Sequence, residues 1–346
     1  MTDVMIEARG LTKRYGNQLA LNKASFELRR GEILGFLGPN GAGKSTTMKI
    51  LTCFIAPTTG TAKVNGCDIW DDPIGVRSAI GYLPESTPLY PDMLVYEYLQ
   101  WAAQMRGMTG ATAQRRIMQV IEDVSLEEVI AKSIRELSKG YRQRVGLAQA
   151  LVHEPPILIL DEPMSGLDPN QAVEIRNLIK RIGRDRTVIL STHNLAEVQV
   201  TCQRVLIVNQ GKIVADDSPD ALARGTSGPR YRVSVLRGKK LDGRSVKSTD
   251  HTPKAYDVFR RVRGVDTVRE LKSKGDEIKL EITADTDDDL RAEIFAAAVD
   301  AGLILIGIEV KKGNLEQVFA ELTSKDESAP RSARKGRKKR ARDEEE

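Results

Sequence analysis

The stretch GFLGPNGAGKSTT carries the spacing G-x-x-x-x-G-K-S from Gly38 to Ser45. It follows a short apolar run, ILGFL, and opens a segment with helical spacing, STTMKILTCFI. A glycine-rich turn between a strand and a helix start is the context in which this spacing cradles phosphate. Glycines let successive backbone N–H groups bend toward one anion, and the helix start adds partial positive charge. Gly38, Pro39, Asn40, Gly41, Ala42 and Gly43 would wrap the phosphates, and Lys44 would reach the β- and γ-phosphates. Ser45 would offer its hydroxyl to Mg²⁺, and Thr46 is placed for the α-phosphate region.

Carboxylates suited to the same chemistry lie further on. ILILDEP ends a buried run with Asp161 and Glu162, and a carboxylate at the C-terminal end of a parallel strand faces the ligand crevice. Asp161 fits an outer partner of Mg²⁺, and Glu162 fits the group that orients and activates an attacking water. His193, in LSTHN, follows the next apolar run and is placed to hydrogen-bond a γ-phosphate. Tyr15, in TKRYGN, is a candidate stacking platform for adenine. The ligand these residues describe is ATP with Mg²⁺.

The elements that must position them read as follows. ILGFL (33–37), ILIL (157–160) and TVILS (187–191) are too short for helices and read as buried strands. Helical spacing between them, as in NQAVEIRNLIKRIG, implies a parallel sheet covered on both faces. VLIVNQGKIVADD reads as a strand pair around a Gln-Gly turn, and the N-terminal stretch reads as short antiparallel strands. Residues from about 90 to 150 read as a helical insertion. A Gly/Ser/Pro-rich joint, ARGTSGPR (223–230), suggests a boundary after residue 225. Beyond it a βαββαβ order over 230–325 suggests a ferredoxin-like α+β domain, with NLEQVFAELT as a last helix. Residues 326–346 are nearly free of apolar side chains and are expected to be a disordered charged tail.

The chain has 346 residues and a net charge of +5, but that charge is unevenly spread. Residues 331–342 hold eight positive charges and 343–346 four negative ones, which leaves a net of +1 on residues 1–330. Basicity therefore belongs to the tail. A polybasic stretch suits contact with anionic lipid, and a solubilising end explains it equally well. Three cysteines, Cys53, Cys67 and Cys202, form no C-x-x-C and no even-numbered framework, so neither a zinc site nor a disulfide scaffold is indicated. The N-terminus has no apolar signal core, and no apolar run reaches the ~18 residues needed to span a bilayer. A cytoplasmic chain with at most a peripheral membrane role is expected.

LSKGYRQR, beginning at Leu137, narrows the class of nucleotide hydrolase. Ser138 precedes Ile157 of ILILDEP by 19 residues, and SGLD (165–168) comes just after. Over about residues 4–225 this set resembles the nucleotide-binding subunit of ABC transporters. The resemblance implies an α/β P-loop NTPase with a RecA-like core, an antiparallel β subdomain and a helical insertion. It implies that Ser138, Lys139 and Gly140 meet the γ-phosphate held by a partner subunit, and that Asp168 lies in a loop crossing the dimer interface. A homodimer, or a pair with a related ATPase subunit, would close on ATP. The family's usual signature is LSGGQ; here Lys139 stands at its first glycine and Tyr141 at its glutamine. Glu85, in GYLPES, stands where the family usually has glutamine, and its carboxylate can approach Mg²⁺. This variant resembles the branch of ABC-2-type exporter and gliding-motility ATPases.

That branch implies an integral-membrane permease on a separate chain and work at the cytoplasmic face of the membrane. Tyr82, Tyr90, Tyr96, Tyr98 and Trp101 are five of the sixteen aromatic residues, a density that suits a docking face for the permease or a helical core. The competing reading is a non-transport ABC ATPase acting on nucleic acid or ribosomes through the basic tail. Translation-type members carry two ATPase units and repair-type members long coiled-coil insertions. One unit with only 117 residues from Lys44 to Asp161 fits neither, so nucleic acid is not the expected partner. A clamp that binds ATP without hydrolysing it would not need Glu162 and His193.

Overall fold

Long, alternating N-terminal strands build the first layer. β1 (Val4–Tyr15) and β2 (Gln18–Arg29) pair antiparallel and bury one face each. β3 (Ile33–Leu37) is buried at every residue, as its unbroken apolar run requires of a strand covered on both sides. After it come α1 (Lys44–Leu51), β4 (Thr59–Val64), β5 (Cys67–Asp68), α2 (Pro73–Ala79) and β6 (Ile80–Leu83). The helical insertion consists of α3 (Val95–Met105), α4 (Gly110–Asp123) and α5 (Lys139–Leu151). β7 (Ile157–Asp161), α6 (Pro169–Ile182), β8 (Thr187–Thr192), α7 (Leu195–Thr201), β9 (Arg204–Asn209), β10 (Lys212–Asp217) and α8 (Pro219–Arg224) follow. In this computed structural model the described residues are 4–224, 229–240, 255–272, 277–286, 288–311 and 315–324. The expected charged tail and residues 225–228 of the joint lie outside them.

Two sheets organise this part of the chain. One has the order β2-β1-β4-β5, and the other β10-β9-β3-β8-β7-β6. From β9 to β6 every neighbouring pair is parallel, while β10 joins β9 antiparallel through Gln210 and Gly211, both left-handed. Positive φ at both turn residues is the two-residue hairpin geometry that matches strand twist. The register pairs Leu37 with Thr192, Asp161 with Ser191 and Leu83 with Leu160. Gly38, Glu162, His193 and Glu85 therefore all leave the sheet at its C-terminal edge. Beneath them Leu34, Phe36, Met48, Ile159, Ile189 and Leu206 form a buried core. Truncating Phe36 there would cost about 3–5 kcal/mol.

By contacts the chain forms two compact units, one running to Pro219 and taking in the last helix from Phe319, the other Asp220–Val318. The second holds β11 (Arg230–Lys240), α9 (Ala255–Arg260), β12 (Val265–Leu271), β13 (Glu277–Ala284), α10 (Arg291–Asp300) and β14 (Leu303–Lys311). Its strand order is β12-β13-β11-β14, antiparallel throughout, and Tyr231, Val233, Phe259, Ile282 and Ile294 fill its core. This is the βαββαβ sequence of elements with the first strand central. α11 (Leu315–Ser324) closes the chain's regular structure. Among the described residues no helix is long and apolar enough to cross a membrane.

Candidate functional site

α1 begins without a side-chain cap. Its N-cap is Gly43, left-handed at φ 110, with no acidic residue in the first turn. α2, α5, α6 and α7 instead start on Asp72, Ser138, Asp168 and Asn194, each accepting a backbone N–H. The first N–H groups of a helix need partners, so a bare start flanked by cationic Lys44 is suited to an anion. Close packing holds the loop beneath it. A side chain at Gly38 would put Cβ 2.4 Å from the Val208 carbonyl, and one at Gly43 would put it 2.6 Å from the Ala20 carbonyl. The Gln210–Gly211 turn supports the loop from below, with Gly211 N donating to Ala42 O at 2.8 Å.

Lys44 is buried at 6% exposure, and its Nζ donates to Gly38 O at 2.8 Å. The same nitrogen lies 3.4 Å from Glu162 Oε1. Glu162 is 7% exposed and left-handed at φ 50, a conformation that costs a non-glycine residue of order 1 kcal/mol. Its own N–H donates to Ser191 O at 3.0 Å, which holds the turn in place. Its second oxygen, Oε2, lies 2.9 Å from His193 Nδ1. One step back, the buried Asp161 accepts a hydrogen bond from Ser191 Oγ at 2.6 Å. Burial, then the Asp161 and Glu85 carboxylates, push the Tyr82 hydroxyl above its ordinary pKa, marking negative charge at this edge. Glu85 is exposed two residues beyond Leu83. Hydroxyl and carboxylate oxygens of Ser45, Asp161 and Glu85 are hard donors, and that chemistry fits Mg²⁺. Tyr15 is half exposed at the end of β1, with Lys13 Nζ 5.2 Å from its ring centre.

Ser138, Lys139, Gly140 and Asp168 gather in a second cluster. The Ser138 hydroxyl caps α5 by accepting Tyr141 N at 3.3 Å. Asp168 Oδ1 caps α6, accepting Asn170 N and Gln171 N at 3.0 Å each. The two helix starts touch: a Cβ on Gly140 would sit 2.7 Å from Gln171 Oε1, and one on Gly166 2.2 Å from Lys139 Nζ. Among the described residues no side-chain hydrogen bond or ion pair joins Ser138–Gly140 or Asp168 to the loop around Lys44. Along α5, buried Gln143 accepts from Thr87 Oγ1 at 3.1 Å, which ties this helix to the segment after Glu85.

The aromatic residues at 82–101 divide. Tyr98 is fully buried and its hydroxyl donates to Gln149 Oε1 at 2.6 Å, while Tyr90 and Trp101 pack edge to face at 5.0 Å. Tyr82 instead lines a groove of about 610 Å³ with Phe54, Ile74, Arg77, Met105, Arg106 and His153. Phe54, Ile74 and Met105 are about 70% exposed.

Sequence reading did not single out Ser191 or Glu197, and it read the Gln210–Gly211 turn as a hairpin turn without its bond to the phosphate loop. Only the position of Ser191 opposite Asp161 could have flagged it, and that requires knowing the strand register.

A glycine loop opening an uncapped helix, with a buried Lys-Glu pair and a histidine on the edge of a parallel sheet, defines a P-loop nucleotide hydrolase. The family model described as "ABC transporter" matches residues 21–165. The linearmycin resistance ATP-binding protein LnrL of Bacillus subtilis (strain 168) is 31% identical over 325 residues, covering 93% of this chain and 99% of that protein. The chain thus belongs to the ABC transporter ATP-binding family, whose members hydrolyse ATP. A daunorubicin resistance ATP-binding protein, DrrA3 of Streptomyces coeruleorubidus, is 29% identical over 96% of this chain and its own full length. Among solved structures, a dimeric bacterial ABC transporter cassette superposes with TM-score 0.58 at 25% identity, covering 62% of this chain and 99% of that one.

Proposed function

We propose that this chain is the ATPase subunit of an ABC-2-like exporter, working at the cytoplasmic face of the membrane with a permease on a separate chain. The contact of Glu162 with both Lys44 and His193 carries the catalytic reading. Residues Gly38 to Thr46 hold the triphosphate, and Tyr15 stacks on the adenine. Ser45, Asp161 and Glu85 hold Mg²⁺, which when bound neutralises charge on the β- and γ-phosphates. Glu162 orients the attacking water and takes its proton, while His193 fixes that carboxylate's direction and meets the γ-phosphate. Catalysis by positioning and fixed charge is what phosphoryl transfer asks of a protein.

Ser138, Lys139 and Gly140 grip the γ-phosphate held by a second subunit, with Asp168 at the interface, so ATP closes the dimer and hydrolysis reopens it. Residues 1–225 act as the ATPase domain and 230–325 as an accessory ferredoxin-like domain.

The permease docks a cytoplasmic segment into the groove of Phe54, Ile74 and Met105, whose rim cations Arg77 and Arg106 suit an acidic residue on that segment. Thr87 and Gln143 connect the neighbouring segment to α5, a route from docking site to signature. Two relatives that match nearly the whole chain are named for resistance to linearmycin and daunorubicin, which supports a role in drug export. The test is efflux of daunorubicin from cells carrying this chain with a permease that co-purifies with it. Glu162→Gln should abolish efflux and leave the complex assembled. Undiminished efflux by that variant would overturn the reading.

A further inference from the structure

We infer that Glu197 is a positioning residue for hydrolysis, holding from both sides the turn that delivers His193 to Glu162. This inference rests on the proposed roles of Glu162 and His193. Glu197 lies in the first turn of α7. Its Oε2 accepts from Thr192 Oγ1 at 2.7 Å, and its Oε1 accepts from Asn194 Nδ2 at 3.2 Å. The residues immediately before and after His193 are thus bonded to one carboxylate. Two further bonds close the turn: Asn194 N donates to Thr192 Oγ1 at 3.1 Å, and Ala196 N donates to Asn194 Oδ1 at 3.0 Å.

His193 needs such a frame. Its side chain is 55% exposed, so core packing does not fix the ring, and its direction follows from the backbone that carries it. The ring still meets Glu162 at 2.9 Å. Glu197 is held there against opposition. Burial raises its pKa most, its hydrogen bonds to Thr192 and Asn194 and the nearby His193 lower it, and the Glu162 charge raises it further. Small displacements of a catalytic group are costly, since about 1 Å can lower a rate by about a hundred-fold.

The experiment is ATP turnover by the full-length chain in a double-mutant cycle, with kcat, KM and melting temperature measured for each variant. Glu197→Ala should lower kcat about ten-fold while KM for ATP changes less than about two-fold. Glu197→Gln keeps one acceptor oxygen and should recover most of that loss. Thr192→Val, which removes the donor hydroxyl and preserves shape, should reproduce part of it and stands in for Glu197→Ala should that variant fail to fold. In a His193→Ala background, Glu197→Ala or Thr192→Val should produce almost no further fall in kcat. Equal losses in both backgrounds would show that Glu197 does not act through His193 and would overturn the inference alone. An unchanged kcat for Glu162→Gln and His193→Ala would overturn the catalytic reading, and with it any role for Glu197 in aiming the imidazole.

Discussion

In the proposed account the starts of α1 and α5 both meet a phosphate, yet they are built oppositely. α1 opens on Gly43 with no side-chain cap, and a buried lysine and glutamate lie against its loop. α5 opens on Ser138, whose hydroxyl already accepts Tyr141 N. Two of its three cations are committed elsewhere: Arg142 donates to Leu137 O at 2.7 Å, and Arg144 to Glu174 at 2.6 Å. In the proposed account the first start holds its phosphate within one chain. The second is self-satisfied, has no catalytic carboxylate beside it, and offers a small polar tip that a partner's nucleotide could meet. If the second start meets a partner's nucleotide as proposed, hydrolysis depends on assembly.

Breaking the first start should have the largest effect. Gly43→Ala places a Cβ against the Ala20 carbonyl at a φ that alanine resists, and nucleotide binding should be lost in an equilibrium assay with a fluorescent ATP analogue. Glu162→Gln should bind that analogue normally while turnover falls by about 10²–10⁴, the usual contribution of a positioned base.

Next comes a pair of substitutions at the second start. Ser138→Asp preserves the N-cap, because aspartate caps as well as serine. It also places a negative charge where the partner's phosphate should arrive. Turnover should fall about a hundred-fold, as like charges brought together cost several kcal/mol, while the melting temperature stays unchanged. Wild-type turnover by Ser138→Asp would reduce this helix start to a cap.

A smaller effect belongs to Asp168→Ala, which removes two capping bonds from α6 and should cost about 1 kcal/mol in denaturant unfolding. An effect of comparable size lies just beyond the far end of α5. Burial, with Arg106 adding to it, lowers the His153 pKa from 6.5 to about 4, even though its ring is bonded to Ile80 O. The unfolded chain binds the proton more readily, so stability is full above pH 6.5 and declines as pH falls toward 4. After allowance for partial solvent exposure the decline is about 1–2 kcal/mol. His153→Gln should flatten it.

The sheet and its phosphate loop were legible because their signals are local. Buried parallel strands show as unbroken apolar runs, and β3, β7 and β8 appear where ILGFL, ILIL and TVILS stand. The end of α1 was not legible. The helical spacing continues to Ile55, but the helix stops at Leu51, with Thr52 Oγ1 bonded back to Met48 O and Cys53 left-handed. Cys53 and Ile55 satisfy their apolar character by packing against the core outside any helix. Tyr98 shows the same ambiguity, since an aromatic at helical spacing reads alike as docking surface or as core, and tertiary packing buries it. The bonds from Ser191 to Asp161 and from Glu197 to both neighbours of His193 depend on strand register and on a turn. No local pattern announces them.

The account rests on nucleotide shared between two copies, and the direct measurement is molar mass in solution. Glu162→Gln should be monomeric without nucleotide and dimeric by light scattering when Mg²⁺ and ATP are added. Adding Ser138→Asp to it should leave ATP bound and the protein monomeric. A Glu162→Gln chain that stays monomeric with ATP bound, or a double variant that dimerises as readily as the single one, would contradict the account.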